Sequence, residues 1–262
     1  MVGLAQRIAE YISDKPVLPE GMRESMVTKF APAMLENYPF VTDFFGFSYT
    51  GNTAHDISRK IYFSGSYQKH VLYLLRDYLI KLNKENSIFV DIGANTGTYT
   101  LFLSKYVGKI HAFESDELLC NQLETNVKAN FLKKVQIHDE DFCELSVCDN
   151  EWFAKKRIKN ADIIRIDIEG MERRVLELFS DFIRRERPLI VMSVSRQMRE
   201  NFSGRYDFRS VFPKEYGFLE FDRKSKNKDK KPYLLIKLNY QDRSEDKTVL
   251  AYPNEHACRL LG

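Results

Sequence analysis

Val90-Asp-Ile-Gly-Ala-Asn-Thr-Gly97 is the stretch from which the fold can be predicted. It follows the apolar run Ile88-Phe-Val, which is typical of a buried strand, and it precedes a segment with apolar residues at helical spacing. A glycine turn between a buried strand and an amphipathic helix is the context in which a nucleotide-like ligand is bound. Glycine lets the backbone approach such a ligand closely and adopt positive φ angles without penalty.

Further short apolar runs alternate with helical segments after this turn. The predicted strands lie at residues 110–113, 135–137, 163–166 and 189–192. Strands that alternate with helices form βαβ units with right-handed crossovers and a parallel sheet. We therefore predict an α/β protein with a Rossmann-like, mostly parallel sheet and helices on both faces.

The C-terminal part departs from this alternation. Apolar segments at residues 217–221 and 233–238 flank a basic stretch at residues 223–231. Two such segments joined by a charged loop are typical of an antiparallel hairpin, which we predict at this end of the sheet. A solvated hairpin tip is the favoured role of the basic loop, and steering of an anionic substrate is the alternative.

Residues 1–86 differ in pattern from the rest of the chain. We predict a helical or irregular cap region here, with helices at residues 5–12 and 71–82. The aromatic-rich segment at residues 38–49 is more typical of a core than of a binding surface. Residues 87–262 are then predicted to form the ligand-binding domain.

The composition limits the classes of function. The 262 residues, 44% of them hydrophobic, suit one large α/β domain with a short additional region. Because 40 Lys and Arg residues nearly balance 37 Asp and Glu residues, the net charge of +3 gives no reason to expect a polyanionic partner. The four cysteines have neither CxxC nor metal-ligand spacing, which favours reduced thiols.

Targeting and membrane signals are not evident in the sequence. The N-terminus lacks a basic region followed by a long apolar run, and the apolar runs are too short to cross a membrane. We expect a cytoplasmic protein without a transmembrane segment. The sequence still permits weak docking on a membrane surface.

Two acids beside the glycine turn indicate the chemistry of the ligand. The spacing D-x-G-x-x-x-G differs from the G-x-G-x-x-G of dinucleotide binders, and the carboxylate of Asp91 would repel a pyrophosphate. Asp91 instead suits a ligand with a cationic end, such as the amino group of methionine. Glu114 ends the next predicted strand, 23 residues after Asp91, where an acid can accept hydrogen bonds from both ribose hydroxyls.

The turn and Glu114 together resemble motif I of class I S-adenosylmethionine-dependent methyltransferases, and more narrowly of the FkbM family. The resemblance covers roughly residues 45 to 252, and the usual Glu, Pro and Glu of the family are replaced here by Gln68, Ser115 and Ser193. Further segments resemble the motifs of this family. They are His111-Ala-Phe-Glu-Ser115 with Leu123, Asn126 and Asn130 behind it, Ile164-Arg-Ile-Asp-Ile-Glu-Gly-Met-Glu172, and the lead-in Asp56-Ile57 with Gly65-Ser-Tyr67.

The resemblance implies S-adenosyl-L-methionine as the cofactor and methyl transfer to a hydroxyl of a sugar, glycan or secondary metabolite. Asp141 and Phe142 follow the third predicted strand, where this fold places an adenine pocket. An acid there can accept from the adenine amino group while an apolar ring covers the base, and a solvated loop, with acids at 139, 140 and 141, is the alternative. The predicted cofactor-binding residues are Asp91, Gly93, Ala94, Asn95, Thr96, Gly97, Glu114, Asp141 and Phe142.

Methyl transfer to an alcohol requires alignment of the oxygen and removal of its proton. Asp167 ends the fourth predicted strand and is the favoured acid, as base, metal ligand or partner of the methionine amino group. Capping of the helix that starts near Gly170 is the alternative for Asp167, and Glu169 has the same two interpretations. His70 is a third catalytic candidate, and Tyr67 and Gln68 before it are predicted to contact the substrate. Ser193 removes one possible carboxylate ligand, which favours a reaction without a metal.

Three other classes of function were compared with this prediction. The glycine spacing and Asp91 argue against an NAD(P)-dependent oxidoreductase. Enzymes that methylate base amino groups usually carry [DN]-P-P-[FYW] after the fourth strand, where this chain has Asp167-Ile-Glu-Gly170, so we expect no nucleic-acid partner. A protein that binds the cofactor without transferring its methyl group remains the third alternative, and we expect a small-molecule or glycan acceptor.

Overall fold

A computed structural model describes residues 36–142, 152–194, 208–222, 232–239 and 247–261, together with residues 25 and 29. The helix predicted at residues 5–12, the basic loop at residues 223–231, and Cys143 and Cys148 lie outside the described residues.

The described residues form α-helices and β-strands, and strands alternate with helical segments from the third to the seventh strand. Two short 3-10 turns, Phe208–Val211 and Asn254–His256, flank the last strands. The elements in chain order are β1 (Pro39–Phe44), β2 (Phe47–Asn52), α1 (Asp56–Ser64), α2 (Lys69–Leu82), β3 (Ile88–Ile92), α3 (Thr98–Leu103), β4 (Lys109–Phe113), α4 (Glu117–Ala129), β5 (Val135–His138), α5 (Trp152–Lys155), β6 (Ile163–Ile166), α6 (Glu172–Leu178), α7 (Ser180–Glu186), β7 (Leu189–Val194), β8 (Tyr216–Phe221), β9 (Leu235–Lys237), β10 (Lys247–Pro253) and α8 (Ala257–Leu261).

The main sheet has the strand order β5-β4-β3-β6-β7-β10-β8-β9. Strands β5, β4, β3, β6 and β7 are parallel to one another. Strand β10 is antiparallel to β7 and β8, and β8 is antiparallel to β9. The predicted fold class, a mostly parallel Rossmann-like sheet with an antiparallel C-terminal hairpin, is therefore confirmed.

Helices cover both faces of this sheet because its central strands are apolar on both sides. In β3, Phe89 belongs to one buried cluster and Val90 to the other, as successive strand residues point to opposite faces. The first cluster includes residues of α2, α3 and α4, and the second includes residues of α5, α6 and α7. Each helix thus buries its apolar face against one side of the sheet.

Strand β10 was not predicted from the sequence. It lies between β7 and β8, so the predicted hairpin strands β8 and β9 do not pair with the parallel part of the sheet. Val249, Leu250 and Ala251 are all buried, and therefore the strand lacks the alternation that marks a strand with one exposed face. Its position is fixed by pairing with strands that lie far away in sequence.

Residues 39–52 form a β-hairpin inside the region that we predicted to be helical or irregular. Phe45 and Gly46 have φ angles of 54° and 81°, as a two-residue type I′ turn requires. The aromatic residues Phe44 and Tyr49 are fully buried in the same cluster as residues of the main sheet, which confirms that the aromatic-rich segment belongs to a core. The domain boundary at residue 86 stays a prediction.

Asn126 within α4 and Asn130 at its C-cap attach this hairpin to the rest of the fold. The Asn126 side chain accepts from the Thr50 N–H at 2.8 Å and donates to the Thr50 and Thr96 carbonyls at 3.1 and 2.9 Å. Asn130 accepts from the Ser48 N–H at 2.9 Å and donates to its carbonyl at 2.8 Å. The side chains of the two asparagines noted in the sequence therefore bind the backbone of β2.

Within the described residues, no helix combines the length and the apolar character needed to cross a membrane.

We expect Asn126→Ala to lower the free energy of unfolding by about 2 kcal/mol, because it removes the side-chain partner of the Thr50 N–H and of the buried Thr96 carbonyl. Asn121→Ala is the control, since Asn121 is an exposed residue of the same helix. Urea unfolding would measure both variants. Equal stability of the two variants would show that the hairpin does not depend on Asn126.

Candidate functional site

The turn after β3 is held on the end of β4. The N–H groups of Gly93 and Ala94 both donate to the Phe113 carbonyl, at 3.0 and 2.9 Å. Gly93, Asn95 and Gly97 have positive φ angles of 79°, 52° and 91°. Glycine or asparagine is favoured at such positions, which explains why the sequence 93–97 can form this turn.

Glu114 is fixed between the turn and the start of α4. One carboxylate oxygen accepts from the Asn95 N–H at 2.7 Å, and the other accepts from the N–H groups of Ser115 and Asp116 at 3.0 Å each. A carboxylate has about four acceptor positions, so three backbone donors leave acceptor capacity for a ligand. The predicted acid thus lies beside the predicted turn.

Gly93 is required by a contact within the protein. A Cβ atom at this position would lie 2.2 Å from the carbonyl oxygen of Asp167 and 3.0 Å from Cγ2 of Ile168. A Cβ atom at Gly97 would lie 2.6 Å from Cδ1 of Leu123 in α4. The close approaches at these glycines are therefore to the segment that follows β6 and to α4, whereas the sequence pattern indicates a close approach to a ligand.

Arg165 joins the ends of β3 and β6. Its guanidinium donates to the Asp91 carboxylate at 2.8 Å and to the Gly93 carbonyl at 3.0 Å, and it forms an ion pair with Asp167. It also lies 4.1 Å from the centre of the Tyr99 ring. Only 4% of the Arg165 side chain is exposed, so all these contacts are shielded from water.

Asp91 is completely buried below the turn. Its second carboxylate oxygen accepts from the Thr100 hydroxyl at 3.0 Å, and burial raises the pKa of this carboxyl group. The pattern predicts that a cationic group of a ligand contacts Asp91, whereas the cation bound to Asp91 here is Arg165 of the same chain, and Asp91 is not among the described lining residues of the cavity beside the turn. A direct contact between Asp91 and a ligand stays a prediction.

A cavity of about 550 Å³ lies at the carboxyl ends of β3, β4, β5 and β6. Its described lining contains six carboxylates and one ammonium group, that of Lys60, and is therefore acidic, although three of the carboxylates are also paired with Arg59, Lys156 and Arg165. The carboxylates belong to Asp56, Glu114, Glu140, Asp141, Asp167 and Glu169. The other lining residues are Ile57, Lys60, Tyr67, Gly93, Asn95, Phe113, Ser115, Leu119, Phe142, Ile168 and Met171.

Aromatic side chains form one wall of this cavity. The Phe113 ring stacks on the His138 ring with centroids 4.3 Å apart, and the Phe142 ring meets Phe113 edge-on at 5.9 Å. Glu140 accepts from the indole N–H of Trp152 at 3.2 Å and forms an ion pair with Lys156. The predicted adenine-pocket residues Asp141 and Phe142 both line this part of the cavity.

Asp167 and Glu169 also line the cavity, beside Gly93. The helix that follows begins at Glu172 and has Met171 at its N-cap, with no side-chain cap hydrogen bond. The alternative that Asp167 or Glu169 caps this helix is therefore wrong. Glu172, by contrast, is buried in the first turn, and burial raises its pKa to about 7.

Tyr67 faces the cavity, and Gln68 supports it from outside the described lining. The Gln68 amide donates to the Tyr67 hydroxyl at 3.1 Å and accepts from the Tyr99 hydroxyl. Burial, and secondarily the charge of Asp167, raises the pKa of Tyr67, so its hydroxyl stays protonated. Gln68 is thus placed to orient Tyr67, and a contact between Gln68 and a substrate stays a prediction.

The structure does not bring four other predicted residues to the cavity surface. Ala94, Thr96 and Gly97 are absent from its described lining, and Thr96 binds the Tyr49 hydroxyl at 2.7 Å. The exposed His70 ring lies edge-on against Phe221 of β8 with centroids 4.7 Å apart, outside the described lining. A catalytic role of His70 stays a prediction that this geometry does not support.

Two parts of the site were missed by the sequence analysis. Arg165 had a detectable signal, because it is a charged residue within the apolar strand Ile163-Ile-Arg-Ile166. In the wall formed by α1, Asp56 and Ile57 belong to the family-like lead-in but were given no role, and Lys60 had no signal, because docking of α1 over the sheet is a tertiary contact. In the described part of the chain, no three His, Cys, Asp or Glu side chains form a group suited to a metal ion.

The sequence matches no family model and no curated protein. Solved structures with a similar fold include an rRNA methylase from Streptococcus thermophilus, at 13% identity and a TM-score of 0.46 over 72% of this chain and 99% of that chain. M. jannaschii TYW2 in complex with AdoMet is 17% identical, with a TM-score of 0.47 over 81% of this chain and 84% of that chain. A SAM-dependent methyltransferase from Agrobacterium tumefaciens is 12% identical, with a TM-score of 0.48 over 82% and 70% of the two chains.

We expect Gly93→Ala to destabilise the fold far more than Gly65→Ala. Both positions have positive φ angles, but a Cβ atom at Gly65 has no atom within 4 Å. Gly65→Ala should therefore cost only the backbone strain of about 1 kcal/mol. Gly93→Ala should lower the free energy of unfolding by at least about 2 kcal/mol more, because the methyl group overlaps the Asp167 backbone. Equal urea midpoints for the two variants would contradict this packing.

Proposed function

We propose that this protein is an S-adenosylmethionine-dependent methyltransferase that acts on a hydroxyl oxygen of a sugar, glycan or other small molecule. One observation carries the proposal: Glu114 and the turn 93–97 are locked together at the edge of an acidic cavity. The sequence resemblance to the FkbM family supports the narrower choice of a hydroxyl acceptor.

The position of the cavity in the sheet supports a nucleotide-like ligand. From β3 the chain continues to β4 and β5 on one side, whereas β6 pairs with the other side of β3. Ligands of open parallel sheets bind at such a switch point, outside the carboxyl ends of the strands. The cavity lies there, between residues that follow β3, β4, β5 and β6.

The residues of the cavity fit S-adenosylmethionine part by part. Glu114 has the position and the acceptor capacity to bind ribose hydroxyls. Phe113 and Phe142 provide apolar rings, and Asp141 an acceptor, for the adenine. The other carboxylates of the lining provide negative charge for the methionine ammonium group.

Charge separates this cofactor from the dinucleotide alternative. A sulfonium and an ammonium group are attracted by a lining of six carboxylates and one lysine, whereas the pyrophosphate of NAD(P) would be repelled. The volume of about 550 Å³ is within the range of small-molecule sites.

Residues of the chain would orient the acceptor hydroxyl and accept its proton. S-adenosylmethionine, when bound, supplies an electrophilic methyl group. Tyr67, held by Gln68, orients the acceptor hydroxyl, and Asp167, held by Arg165, accepts its proton. Both side chains line the same cavity, which the reaction requires.

We expect the full chain to bind S-adenosylmethionine and S-adenosylhomocysteine in calorimetry, and to bind NADPH at least about tenfold more weakly. Glu114→Ala should weaken S-adenosylhomocysteine binding by more than about tenfold, or about 1.4 kcal/mol, because the ribose loses its acceptor. Glu117→Ala is the control, since Glu117 is an exposed neighbour in α4. Wild-type protein that binds neither S-adenosyl compound would overturn the proposed function.

We expect Asp167→Asn to lower methyl transfer by roughly two to four powers of ten, because the acceptor hydroxyl loses its base. The measurement is transfer of labelled methyl to a panel of glycans and small alcohols, detected by mass spectrometry. Glu177→Gln is the control on the neighbouring helix, and a chelator should leave the wild-type rate unchanged.

Two outcomes would contradict the role of Asp167. Full turnover by the variant would reject it as the base. Weaker binding of S-adenosylhomocysteine with unchanged binding of 5′-methylthioadenosine, which lacks the amino-acid part, would identify Asp167 as a partner of the ammonium group instead. If no acceptor is methylated although the cofactor binds, the protein binds the cofactor without transferring its methyl group.

A further inference from the structure

We propose that the amino end of the parallel strands forms a second site, which docks the protein on an anionic membrane surface. We call this site the basic edge and define it by Lys109, Lys133, Lys134 and the neighbouring Phe131. It lies at the sheet edge opposite the acidic cavity. The proposal does not depend on the proposed enzymatic function.

A second cavity, of about 660 Å³, marks the basic edge. It is lined by residues at or just before the first positions of β3, β4 and β5, and three of them are lysines. Among its described lining residues there is no carboxylate, in contrast to the six around the acidic cavity. The lining residues are Asn86, Ile88, Gly108, Lys109, Lys133, Lys134, Val135 and Gln136.

The lysine charges are held at the rim. The Lys134 ammonium group donates to the Val107 carbonyl at 2.8 Å, which fixes its position and leaves two of its three N–H donors. The pKa of His111 in β4 is lowered to about 4. Burial is the main cause, and the positive charge of Lys109 is the second. The basic edge therefore offers an anion the two remaining N–H donors of Lys134 and the positive charges of Lys109 and Lys133.

Phe131 projects into solvent beside these lysines. Its side chain is 85% exposed, and its φ angle of 53° is unusual for a bulky residue. Its carbonyl accepts from the Lys133 N–H at 3.0 Å, so the backbone of Phe131 adjoins that of a lysine that lines the basic cavity. A large aromatic side chain thus stands in solvent at the rim of a positively charged surface.

An anionic membrane matches both features of the basic edge. Lysines near such a surface are attracted by its negative potential, and an aromatic ring is buried at the boundary between headgroups and acyl chains. A small soluble anion would use the lysines but would leave Phe131 exposed. A single-stranded nucleic acid would need a groove with aromatic rings for successive bases, whereas this surface presents one.

The test is sedimentation of the full chain with phosphatidylcholine vesicles that contain about 30% phosphatidylserine. We expect binding that weakens with added salt and is absent with pure phosphatidylcholine. Phe131→Ser and the double variant Lys133→Glu/Lys134→Glu should each lower the partition coefficient by roughly tenfold. Because Phe131 is exposed, its replacement should leave the unfolding midpoint unchanged.

Matched controls separate this surface from general charge and hydrophobicity. Leu118→Ser removes another exposed apolar residue, 70% exposed, near the other end of α4. Lys159→Glu/Lys214→Glu makes the same change in net charge at exposed positions outside the basic cavity. Both controls should bind vesicles as the wild type does.

Three results would overturn the proposal. The first is absence of binding to the anionic vesicles. The second is binding that depends on the lysines but not on Phe131, or that inorganic phosphate abolishes at constant ionic strength, because this would indicate a site for a soluble anion. The third is tighter binding of a single-stranded oligouridine that depends on the same residues, because this would indicate an RNA surface.

Discussion

The guanidinium group of Arg165 joins the carboxyl ends of β3 and β6. These parallel strands are neighbours at the point where the order of strands along the chain reverses. It binds Asp91 below the glycine turn, the Gly93 carbonyl within it, and Asp167 beside it. Removal of one partner from a buried ion pair leaves an uncompensated charge and typically costs about 3–5 kcal/mol. The two strand ends are therefore held in one arrangement, and the position of the turn follows from it.

The remainder of the acidic cavity is built on this arrangement. The turn presents the Asn95 N–H to Glu114, so the acid after β4 is fixed relative to the acid after β6. The Tyr99 ring lies over Arg165, and its hydroxyl reaches Tyr67 through Gln68. A continuous set of contacts thus connects the proposed cofactor-binding residues to the wall on which an acceptor would bind.

The cavities at the carboxyl and amino ends of the parallel strands carry opposite charge. Carboxylates predominate after the strands and lysines before them, although the net charge of the whole chain is only +3. Net charge therefore says little about the ligands of a single surface, because a ligand responds to charges within about one Debye length. A cationic cofactor at one edge and an anionic surface at the other are compatible for this reason.

The sequence by itself determined the alternation of strands and helices from β3 to β7, the turn at residues 93–97 and the placement of Glu114 beside it. These features depend on local periodicity and on the fixed geometry of a βαβ unit, in which the ends of adjacent strands meet. Only the tertiary structure decided that Arg165 is the cation bound to Asp91, that β10 lies between β7 and β8, and that His70 faces Phe221. The physical reason is that these contacts join residues far apart in the chain, so their formation depends on strand order and side-chain packing, which no local pattern encodes.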